Sequence, residues 1–290
     1  MSATLENLLI SYARWFPIRR GKMRVINSLW QTVTGGKDTQ RVATLKYSAF
    51  KVPCDLKEML QRQFYFFGTY FVEEDILSCW TSAAREARMI LDVGANAGIY
   101  SFAALSSQPN AVVHAFEPTP EIAARLRASV QLNELNQLRV HQLAVFKRTG
   151  YATLMRCRGE SGCNEGMNFL SADAQESSGS GERVETVSLD EFCARHAIDH
   201  VDLLKVDVQG HESSVLWGAE RLITAGRIGT IFMELNWSPD RDKPCPASDS
   251  VYFLDRAGYR FSRPGKRLQW FKAGEWLRDL GDVVATLHSS

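Results

Sequence analysis

The fold is decided by the stretch Ile90-Leu91-Asp92-Val93-Gly94-Ala95-Asn96-Ala97-Gly98-Ile99-Tyr100, an apolar run that ends in an acid and passes into a glycine-containing loop. The run predicts a buried parallel strand and a tight turn into a helix, and open α/β folds bind ligands beyond the carboxyl end of such a strand. Gly94 and Gly98 have no Cβ and therefore let the backbone come close to a ligand. The free N–H groups at the start of the helix that follows the loop point toward negative groups of that ligand. We predict a cofactor loop with these binding residues: Asp92, Gly94, Ala95, Asn96 and Gly98.

A second apolar run downstream narrows the choice of cofactor. Ala111-Val112-Val113-His114-Ala115-Phe116-Glu117 ends in an acid about 20 residues after Gly94, the spacing at which a carboxylate binds a ribose. The nicotinamide fingerprint G-x-G-x-x-G is absent, because Asn96 and Ile99 stand at its second and third glycine positions. A carboxylate at Glu117 can accept hydrogen bonds from both hydroxyls of any adenosyl ribose. The pattern favours an adenosyl cofactor and disfavours an NAD-dependent oxidoreductase.

Five motifs, in the order in which they occur, resemble the FkbM family of class I S-adenosylmethionine-dependent methyltransferases. They are DVGANAGIYS (92–101), AFEPTP (115–120), ETVSLDEF (185–192), LLKVDVQGHE (203–212) and FMELNW (232–237). The resemblance covers roughly residues 60 to 240. It implies S-adenosyl-L-methionine as the methyl donor and S-adenosyl-L-homocysteine as the product. It also implies cofactor contacts at Glu117 and Pro118 and a place near the adenine for Ala144.

The order of the predicted elements gives an α/β fold class. Further buried strands are predicted at 138–145, 201–206 and 230–235. A chain of 290 residues with 45% hydrophobic residues can bury one large core plus an appendage. We therefore expect a Rossmann-like class I methyltransferase sheet, mostly parallel with an antiparallel last strand, over residues 81–290. Residues 1–80 are expected to form a mixed α/β extension, and the last strand is either 268–271 or 283–287.

The extension begins with a basic helical pattern. Residues 5–30 combine an apolar stripe with arginine and lysine, which suits either packing on the chain's own domain or contact with an anionic membrane surface. Residues 41–47 alternate with period two, the pattern of a half-buried strand. An aromatic cluster at 64–71 follows, for which core packing and lining of the active-site mouth both remain open. Within it Phe71 replaces the Glu of the family's G-x-Y-E pattern.

Capping patterns place two helices of the larger domain. Thr119 is predicted to cap a helix that has Pro120 at its first position, and this helix covers the sheet. Ser188-Leu189-Asp190-Glu191 is a capping box for a helix that ends near His196. Residues 151–182 interrupt the alternation of strands and helices and are rich in Gly and Ser, so they form either a lid over the acceptor or a plain surface loop.

Catalytic groups are expected at the strand ends that face the cofactor loop. Strand 201–206 ends in Asp207, a glycine turn follows, and His211 stands just beyond it; the next strand carries Glu234. An acceptor hydroxyl must lose a proton during methylation, and Asp207 or His211 is suited to take it. Glu212 is expected to cap or to form a salt bridge. Gln209 replaces the Glu of the family's D-V-E-G and cannot deprotonate a hydroxyl.

No metal is expected. The cysteines show no zinc-like spacing, and five histidines fall on unrelated predicted elements: His114, His141, His196, His200 and His288. A cation held by Asp207 and Glu234 is the less favoured alternative. The scattered cysteines, the lack of a signal-peptide pattern and the lack of any apolar run near the ~20 residues of a membrane span predict a cytoplasmic protein.

The leading function is O-methyl transfer to a hydroxyl of a sugar, glycan or secondary metabolite, the acceptor classes that the resemblance implies. A catalytically inactive cofactor-binding or scaffold protein and a small-molecule N-methyltransferase are the alternatives. The formal net charge of +1 predicts no nucleic-acid partner. A small-molecule or glycan acceptor is the expected partner. Weak peripheral membrane contact through the N-terminal helix and a homodimer are left open.

Overall fold

The computed structural model describes residues 2–16, 21–34, 39–46, 48, 50–69, 74–155, 169–171, 181–235, 246–265, 269–271 and 281–288. Its helices are α1 (Ser2–Trp15), α2 (Lys22–Thr34), α3 (Met59–Phe67), α4 (Glu74–Ala84), α5 (Ile99–Ser107), α6 (Pro120–Leu132), α7 (Leu189–Arg195), α8 (Glu212–Trp217), α9 (Glu220–Thr224) and α10 (Pro246–Arg256). Its strands are β1 (Gln40–Thr44), β2 (Lys51–Asp55), β3 (Met89–Val93), β4 (Val112–Phe116), β5 (Leu138–His141), β6 (Ala144–Val145), β7 (Gly150–Met155), β8 (Phe169–Ser171), β9 (Glu182–Val187), β10 (Val201–Val206), β11 (Ile228–Leu235), β12 (Tyr259–Arg263), β13 (Gln269–Phe271) and β14 (Gly281–Leu287).

An eight-stranded sheet in the order β13-β12-β14-β11-β10-β3-β4-β5 forms the centre of the molecule. Strands β11, β10, β3, β4 and β5 pair in parallel, and β14 pairs antiparallel to β11. The expected α/β class with a mostly parallel central sheet is confirmed. The chain runs outward from β3 through β4 to β5 and then returns to add β10 on the other side of β3. The strand order therefore reverses between β3 and β10, where open α/β sheets bind their ligands.

The two faces of this sheet belong to two different hydrophobic cores. Ile90, Leu203 and Phe232 pack in one core with residues of α4 and α5. Their sequence neighbours Leu91 and Leu204 pack in the other core, with residues of α7, α8, α9 and α10. Alternate strand residues point to opposite faces, so the continuous apolar runs of the sequence reflect a sheet covered on both sides.

The N-terminal segment contains two helices where the sequence pattern suggested one. Helix α1 ends at Trp15 and α2 begins at Lys22. Glu6 of α1 accepts hydrogen bonds from Arg41 and from the Tyr65 hydroxyl, at 2.7 and 2.6 Å. Arg14 donates to the Phe66 carbonyl oxygen at 3.3 Å. These contacts tie α1 to β1 and α3, so packing on the chain's own fold is the interpretation that the structure supports.

The aromatic cluster of the extension is mostly core. Phe64 packs in the α4–α5 core, and Phe66 and Phe67 pack against α1 and α2. Trp80 of α4 is fully buried, donates from Nε1 to the Tyr100 carbonyl oxygen at 2.9 Å, and lies edge-on to the Phe232 ring. A buried tryptophan removes some 150–250 Å² from water, so α4 is firmly attached to the sheet.

Three expectations about strands and caps change. Residues 138–145 are two strands, because β5 belongs to the central sheet whereas β6 pairs with β9 in a separate sheet of order β6-β9-β7-β8. Both candidates for the last strand are strands: β14 lies between β11 and β12, and β13 lies at the edge. Thr119 occupies the N-cap of α6 without a side-chain capping bond, whereas Ser188 accepts from the Glu191 N–H as predicted.

Within the described ranges, no helix combines the length and apolarity of a membrane span.

Candidate active site

The loops that follow β3 and β10 touch at the switch point. The Asp207 N–H donates to the Val93 carbonyl oxygen at 3.0 Å. Gly94 has a φ of 79°, and a Cβ on it would collide with the Asp207 carbonyl oxygen. Gly98 also has a positive φ, and a Cβ there would meet the Leu126 and Phe102 side chains. Protein atoms rather than open space therefore surround both glycines, so these positions require glycine for backbone conformation and packing.

Asp92 supports the loop from below. Its side chain is 1% exposed, and its Oδ2 accepts from the Ser101 hydroxyl at 2.6 Å and from the Ser101 N–H at 3.1 Å. Burial raises the pKa of Asp92 to about 6, against the opposing effects of Ser101 and Lys205. Asp92 therefore anchors the first turn of α5 to the end of β3. The sequence predicted Asp92 but not its partner Ser101, which lies in the first turn of α5.

Glu117 joins the second strand end to the same loop. Its Oε2 accepts from the Asn96 N–H at 3.1 Å, and its Oε1 accepts from the Thr119 N–H at 2.9 Å. Asn96 has a φ of 48°, a conformation that asparagine adopts more readily than most residues. Burial raises the pKa of Glu117, and hydrogen bonds from Thr119 and Asn96 oppose that rise. A carboxylate has about four acceptor positions, so Glu117 retains capacity for a ligand hydroxyl.

Two further predicted cofactor residues lie beside this loop. Pro118 connects Glu117 to the start of α6 and is partly buried. Ala144 is buried in a small core with Phe146, Leu154 and Val184. Ala95 is buried, and its N–H donates to the Phe116 carbonyl oxygen at 2.9 Å. Cofactor contact by Pro118, Ala95 and Ala144 stays a prediction.

Asp207 lies at the end of β10 between two donors. Gln209, which has a φ of 53°, donates from Nε2 to Asp207 Oδ1 at 2.9 Å. The other oxygen, Oδ2, lies 3.5 Å from Lys205 Nζ, and the side chain of Lys205 is only 2% exposed compared with 25% for Asp207. Gln209 and the buried Lys205 thus fix the carboxylate of Asp207, which is still partly exposed to solvent. The Gln that departs from the family pattern orients this carboxylate.

Lys205 is a residue that the sequence interpretation missed. The sequence did contain a signal for it. Lys205 is two residues after Leu203 in an apolar strand, so both side chains lie on the same buried face, where a lysine is unusual. Asp282 of β14 was also missed, because it became adjacent only through the pairing of β14 with β11, which places it opposite Glu234. Burial raises the pKa of Asp282, while the charge of Lys205 opposes the rise.

The turn after β10 is shaped by Glu212 and carries His211. Glu212 Oε1 accepts from the Gly210 N–H at 3.0 Å and from the Val208 N–H at 3.3 Å, so it caps the turn as expected. Burial raises the pKa of Glu212. His211 is the N-cap residue of α8, makes no side-chain capping bond, and has its ring 6.0 Å from that of Phe146. Its role as a base stays a prediction.

Histidines that looked unrelated in the sequence meet on the opposite face of the sheet. His114 Nδ1 lies 2.9 Å from His141 Nε2, and the His196 ring lies about 6 Å from both rings, beside Phe192. Burial lowers the pKa of His114 to about 3 and that of His141 to about 4. The five histidines lie on different elements, as expected, but the structure brings three of them, His114, His141 and His196, together. Among the residues that the structure describes, no group of His, Cys, Asp or Glu has a metal-binding arrangement.

The donor set at the switch point fits a cofactor with a ribose and a positive centre. Asp92 and Glu234 are the second-to-last residues of β3 and β11, and Glu117 and Asp207 directly follow β4 and β10, so four acids lie near the carboxyl ends of four adjacent strands. Glu117 is a candidate acceptor for a ribose hydroxyl, whereas the N–H groups of Gly94, Ala95, Asn96 and Gly98 already donate within the protein. The surrounding carboxylates suit a sulfonium better than an anion. Phe71, Asn236, Trp237 and the parts of the predicted lid at 156–168 and 172–180 lie outside the described residues.

Comparison with known proteins points the same way. A profile of the family described as Methyltransferase FkbM domain matches residues 92–261, more than half of the chain. The 2-O-methyltransferase NoeI of Sinorhizobium fredii (strain NBRC 101917 / NGR234) is 30% identical, over 48% of this chain and 60% of that relative. The 31-O-demethyl-FK506 methyltransferase FkbM of Streptomyces tacrolimicus is 34% identical, over 47% of this chain and 61% of that relative. The aligned part thus spans less than two thirds of these curated relatives.

The solved structures give only a distant likeness. The precorrin-6y C5,15-methyltransferase of Geobacter metallireducens GS-15 shares 12% identity at a TM-score of 0.41, over 74% of this chain and 89% of that chain. A similarity of that size carries no argument about the site.

Proposed function

This chain belongs to the FkbM methyltransferase family, and we propose that it is an S-adenosylmethionine-dependent O-methyltransferase. The proposed acceptor is a hydroxyl of a sugar, a glycan or a secondary metabolite. The names of the curated relatives, a 2-O-methyltransferase and a 31-O-demethyl-FK506 methyltransferase, support an oxygen acceptor. The product derived from the cofactor is S-adenosylhomocysteine. Residues 81–290 form the methyltransferase domain in this proposal, and residues 1–80 form an N-terminal extension.

One observation carries the proposal: a strand-end acid is hydrogen-bonded to a glycine loop at the switch point of the sheet. Glu117 accepts hydrogen bonds from the Asn96 N–H and from the N–H and hydroxyl of Thr119, which leaves about one acceptor position of its carboxylate for a ribose hydroxyl. The sequence spacing supports adenosyl binding at the loop from Gly94 to Gly98, and the position of Glu117 beside that loop supports adenosyl binding at Glu117. The carboxylates of neighbouring strand ends favour a positively charged donor over a dinucleotide, whose pyrophosphate they would repel.

Bound S-adenosylmethionine supplies an activated methyl group, which an acceptor oxygen takes by in-line displacement while sulfur keeps the electron pair of the broken bond. The chain then has to position the acceptor and receive its hydroxyl proton. Asp207 is placed for this, because its carboxylate is held by Gln209 and Lys205 yet is 25% exposed. Asp92 is too deeply buried to reach an acceptor, so it supports the loop instead.

His211 is the second candidate for the proton. It stands at the start of α8, in the same turn as Asp207, and is partly exposed. In the proposal, Asp207 and His211 flank the acceptor hydroxyl, and Glu234 contributes charge at the next strand end. If His211 is the base, turnover rises with pH through the imidazole range, and His211→Ala removes that rise. A His211→Ala variant with normal turnover and an unchanged pH profile makes His211 only a helix-start residue, and proximity or Asp207 alone then carries the reaction.

Exposed apolar residues and free cysteines support proposals about further partners and about the cellular compartment. Part of α1 presents Leu5, Leu8 and Trp15 to solvent, which supports weak membrane contact or a homodimer. The described cysteines Cys54, Cys79 and Cys193 are free thiols, which supports a reducing compartment such as the cytoplasm. We propose no metal and no nucleic-acid partner.

The test is transfer of a labelled methyl group. The protein is incubated with methyl-labelled S-adenosylmethionine and fractionated sugars, glycans and secondary metabolites, and the labelled product is identified by mass spectrometry. Methylation of an oxygen, lost in Asp207→Asn and retained in the exposed-surface control Asp199→Asn, is the expected result. Tight cofactor binding without transfer to any fraction would favour a cofactor-binding protein, and a methylated nitrogen would favour N-methyl transfer.

A further inference from the structure

We propose that Lys205 is a positioning residue that holds the carboxylates at the carboxyl edge of the sheet in place and balances their charge. The inference rests on the proposed function only in giving Asp207 the acceptor proton. The charge balance itself is a property of the folded chain and can be tested without any cofactor.

Register places Lys205 at the centre of a charged group. Lys205 is paired with Asp92 of β3 on one side and with Phe232 of β11 on the other. By period two its side chain shares a face with Leu203, which belongs to the α4–α5 core. The face is apolar along the strands and becomes charged only at their carboxyl ends. A lysine here reaches from the core toward the switch point.

The immediate contacts of Lys205 identify what its charge does. Nζ lies 3.5 Å from Asp207 Oδ2 and 4.7 Å from the centre of the Tyr100 ring. A buried ammonium is strongly unfavourable unless it is paired, and a carboxylate together with an aromatic face satisfies it. Loss of Lys205 would in turn leave buried carboxylates without their cation, which typically destabilises more than the pair stabilises.

Charged groups face Lys205 from every strand around it. Asp92 approaches from β3, Asp207 follows Lys205 on β10, Glu234 ends β11, and Asp282 lies on β14 opposite Glu234. Lys205 lowers the pKa of Asp92 and of Asp282, whereas Asp207 raises both. One buried cation therefore acts on acids of three different strands. This arrangement holds Asp207 in a fixed orientation at the carboxyl edge of the sheet, where it remains partly exposed.

The decisive experiment is the pH dependence of stability in Lys205→Met. Asp92 has a folded-state pKa of about 6, above its ordinary value of 3.8. A raised pKa means that the stability contributed by the protonated acid is present at low pH and is lost as pH rises through the folded-state value. Removing Lys205 moves that value higher, so the loss continues over a wider pH range. Each added unit of pKa corresponds to about tenfold in the unfolding equilibrium constant.

Denaturant unfolding of the wild type and Lys205→Met is measured at pH 5 and pH 8. We expect the two proteins to differ little at pH 5 and by at least about tenfold more in the unfolding constant at pH 8. The exposed-lysine control Lys51→Met should show no such pH dependence. An equal difference at both pH values means that Lys205 only fills space, and that result overturns the proposal.

A second variant covers the case in which Lys205→Met does not fold at pH 8. Lys205→Met combined with Asp92→Asn removes one carboxylate together with the cation, and it is expected to recover much of the lost stability at pH 8. A double variant that is no more stable than Lys205→Met there overturns the charge-balance inference. Lys205→Arg keeps the charge and should follow the wild-type pH dependence.

A third measurement separates this inference from the proposed function. Calorimetry with S-adenosylmethionine, which is cationic at sulfur, and with S-adenosylhomocysteine, which is not, is run on the wild type and Lys205→Met. Because a positive charge is removed near the strand ends, the variant should gain affinity for the first relative to the second. If the wild type binds neither compound while the pH experiment succeeds, the proposed function fails and Lys205 keeps its role. If the wild type binds both and the pH experiment fails, only the inference about Lys205 is wrong.

Discussion

The two faces of the central sheet bury ionisable groups in opposite ways. On the α4–α5 side, Asp92 and Lys205 are buried near Asp207: Lys205 Nζ lies 3.5 Å from Asp207 Oδ2, and Asp92 accepts a hydrogen bond from the Ser101 hydroxyl. On the α7 side, His114 and His141 share a hydrogen bond among aromatic rings, and burial lowers the pKa of both. A buried group must be either paired or neutral. The difference shows which face is built for polar chemistry and which is built as core.

The largest expected effect is a loss of turnover when Asp207, at the carboxyl edge of the sheet, is replaced. Asp207→Asn keeps the shape of the side chain but cannot receive a proton, so turnover should fall by about 10²–10⁴ while cofactor affinity changes little. Initial rates with the identified acceptor and calorimetry with S-adenosylhomocysteine provide the two readouts. Equal losses of turnover and affinity would instead make Asp207 a binding residue. Asp199→Asn, an exposed acid, is the matched control.

The next largest expected effect is a loss of folding stability at acid pH, caused by His114 and His141 on the other face of the sheet. The folded-state pKa values of His114 and His141, about 3 and about 4, lie below the ordinary 6.5. A lowered histidine pKa means that stability is complete above pH 6.5 and is lost as pH falls toward the folded-state value. Each histidine contributes up to about tenfold in the unfolding constant per pH unit in that window. Denaturant titrations at pH 7.5, 6 and 5 measure this slope.

A paired variant sharpens that test. His114→Leu combined with His141→Leu removes both titrating rings and should flatten the loss of stability between pH 6.5 and 5. The exposed His200→Leu should leave the slope as it is, because its ring is not buried. An unchanged slope in the double variant would locate the acid sensitivity elsewhere in the fold.

A smaller effect is expected where the charged face meets the cofactor. Glu117→Ala removes the carboxylate that binds the Asn96 N–H and should weaken S-adenosylmethionine binding by about 1.5–3 kcal/mol. Glu117→Gln should lose less, because its amide oxygen can still accept. Calorimetry measures both, with the exposed Glu220→Ala as control. Wild-type affinity in Glu117→Ala would remove Glu117 from the cofactor site.

The smallest expected effect is on folding stability, through the hydrogen bonds that Ser101 donates to Asp92 below the glycine loop. Ser101→Ala removes the hydroxyl donor to Asp92 and leaves the Ser101 N–H, so we expect a loss of about 0.5–1.5 kcal/mol in unfolding free energy. The loss should be larger at pH 8 than at pH 5, because Ser101 favours the ionised form of Asp92. Ser106→Ala in the same helix, whose hydroxyl binds only the Phe102 carbonyl oxygen, is the control. A loss that does not depend on pH would exclude charge support by Ser101.

Much of the site was predictable because its signals are local. The strand from Met89 to Val93, the turn at Gly94 and the acid at Glu117 follow from residue patterns only a few positions long. The same holds for the Ser188 cap of α7. Thr119 looked equally suited to cap, but its hydroxyl hydrogen-bonds Glu117 instead. A capping residue beside a buried carboxylate has two possible partners, and sequence alone does not rank them.

What the sequence by itself determined is the alternation of buried strands and covering helices, the glycine loop and the acids at strand ends, since all of these depend on neighbours in the chain. Only the tertiary structure decided that β14 lies between β11 and β12, that Lys205 meets Asp207 and influences Asp282, and that His114 bonds His141. These contacts depend on strand order and register across segments far apart in sequence. A period-two pattern states which face a side chain occupies, and strand pairing alone determines what it meets there.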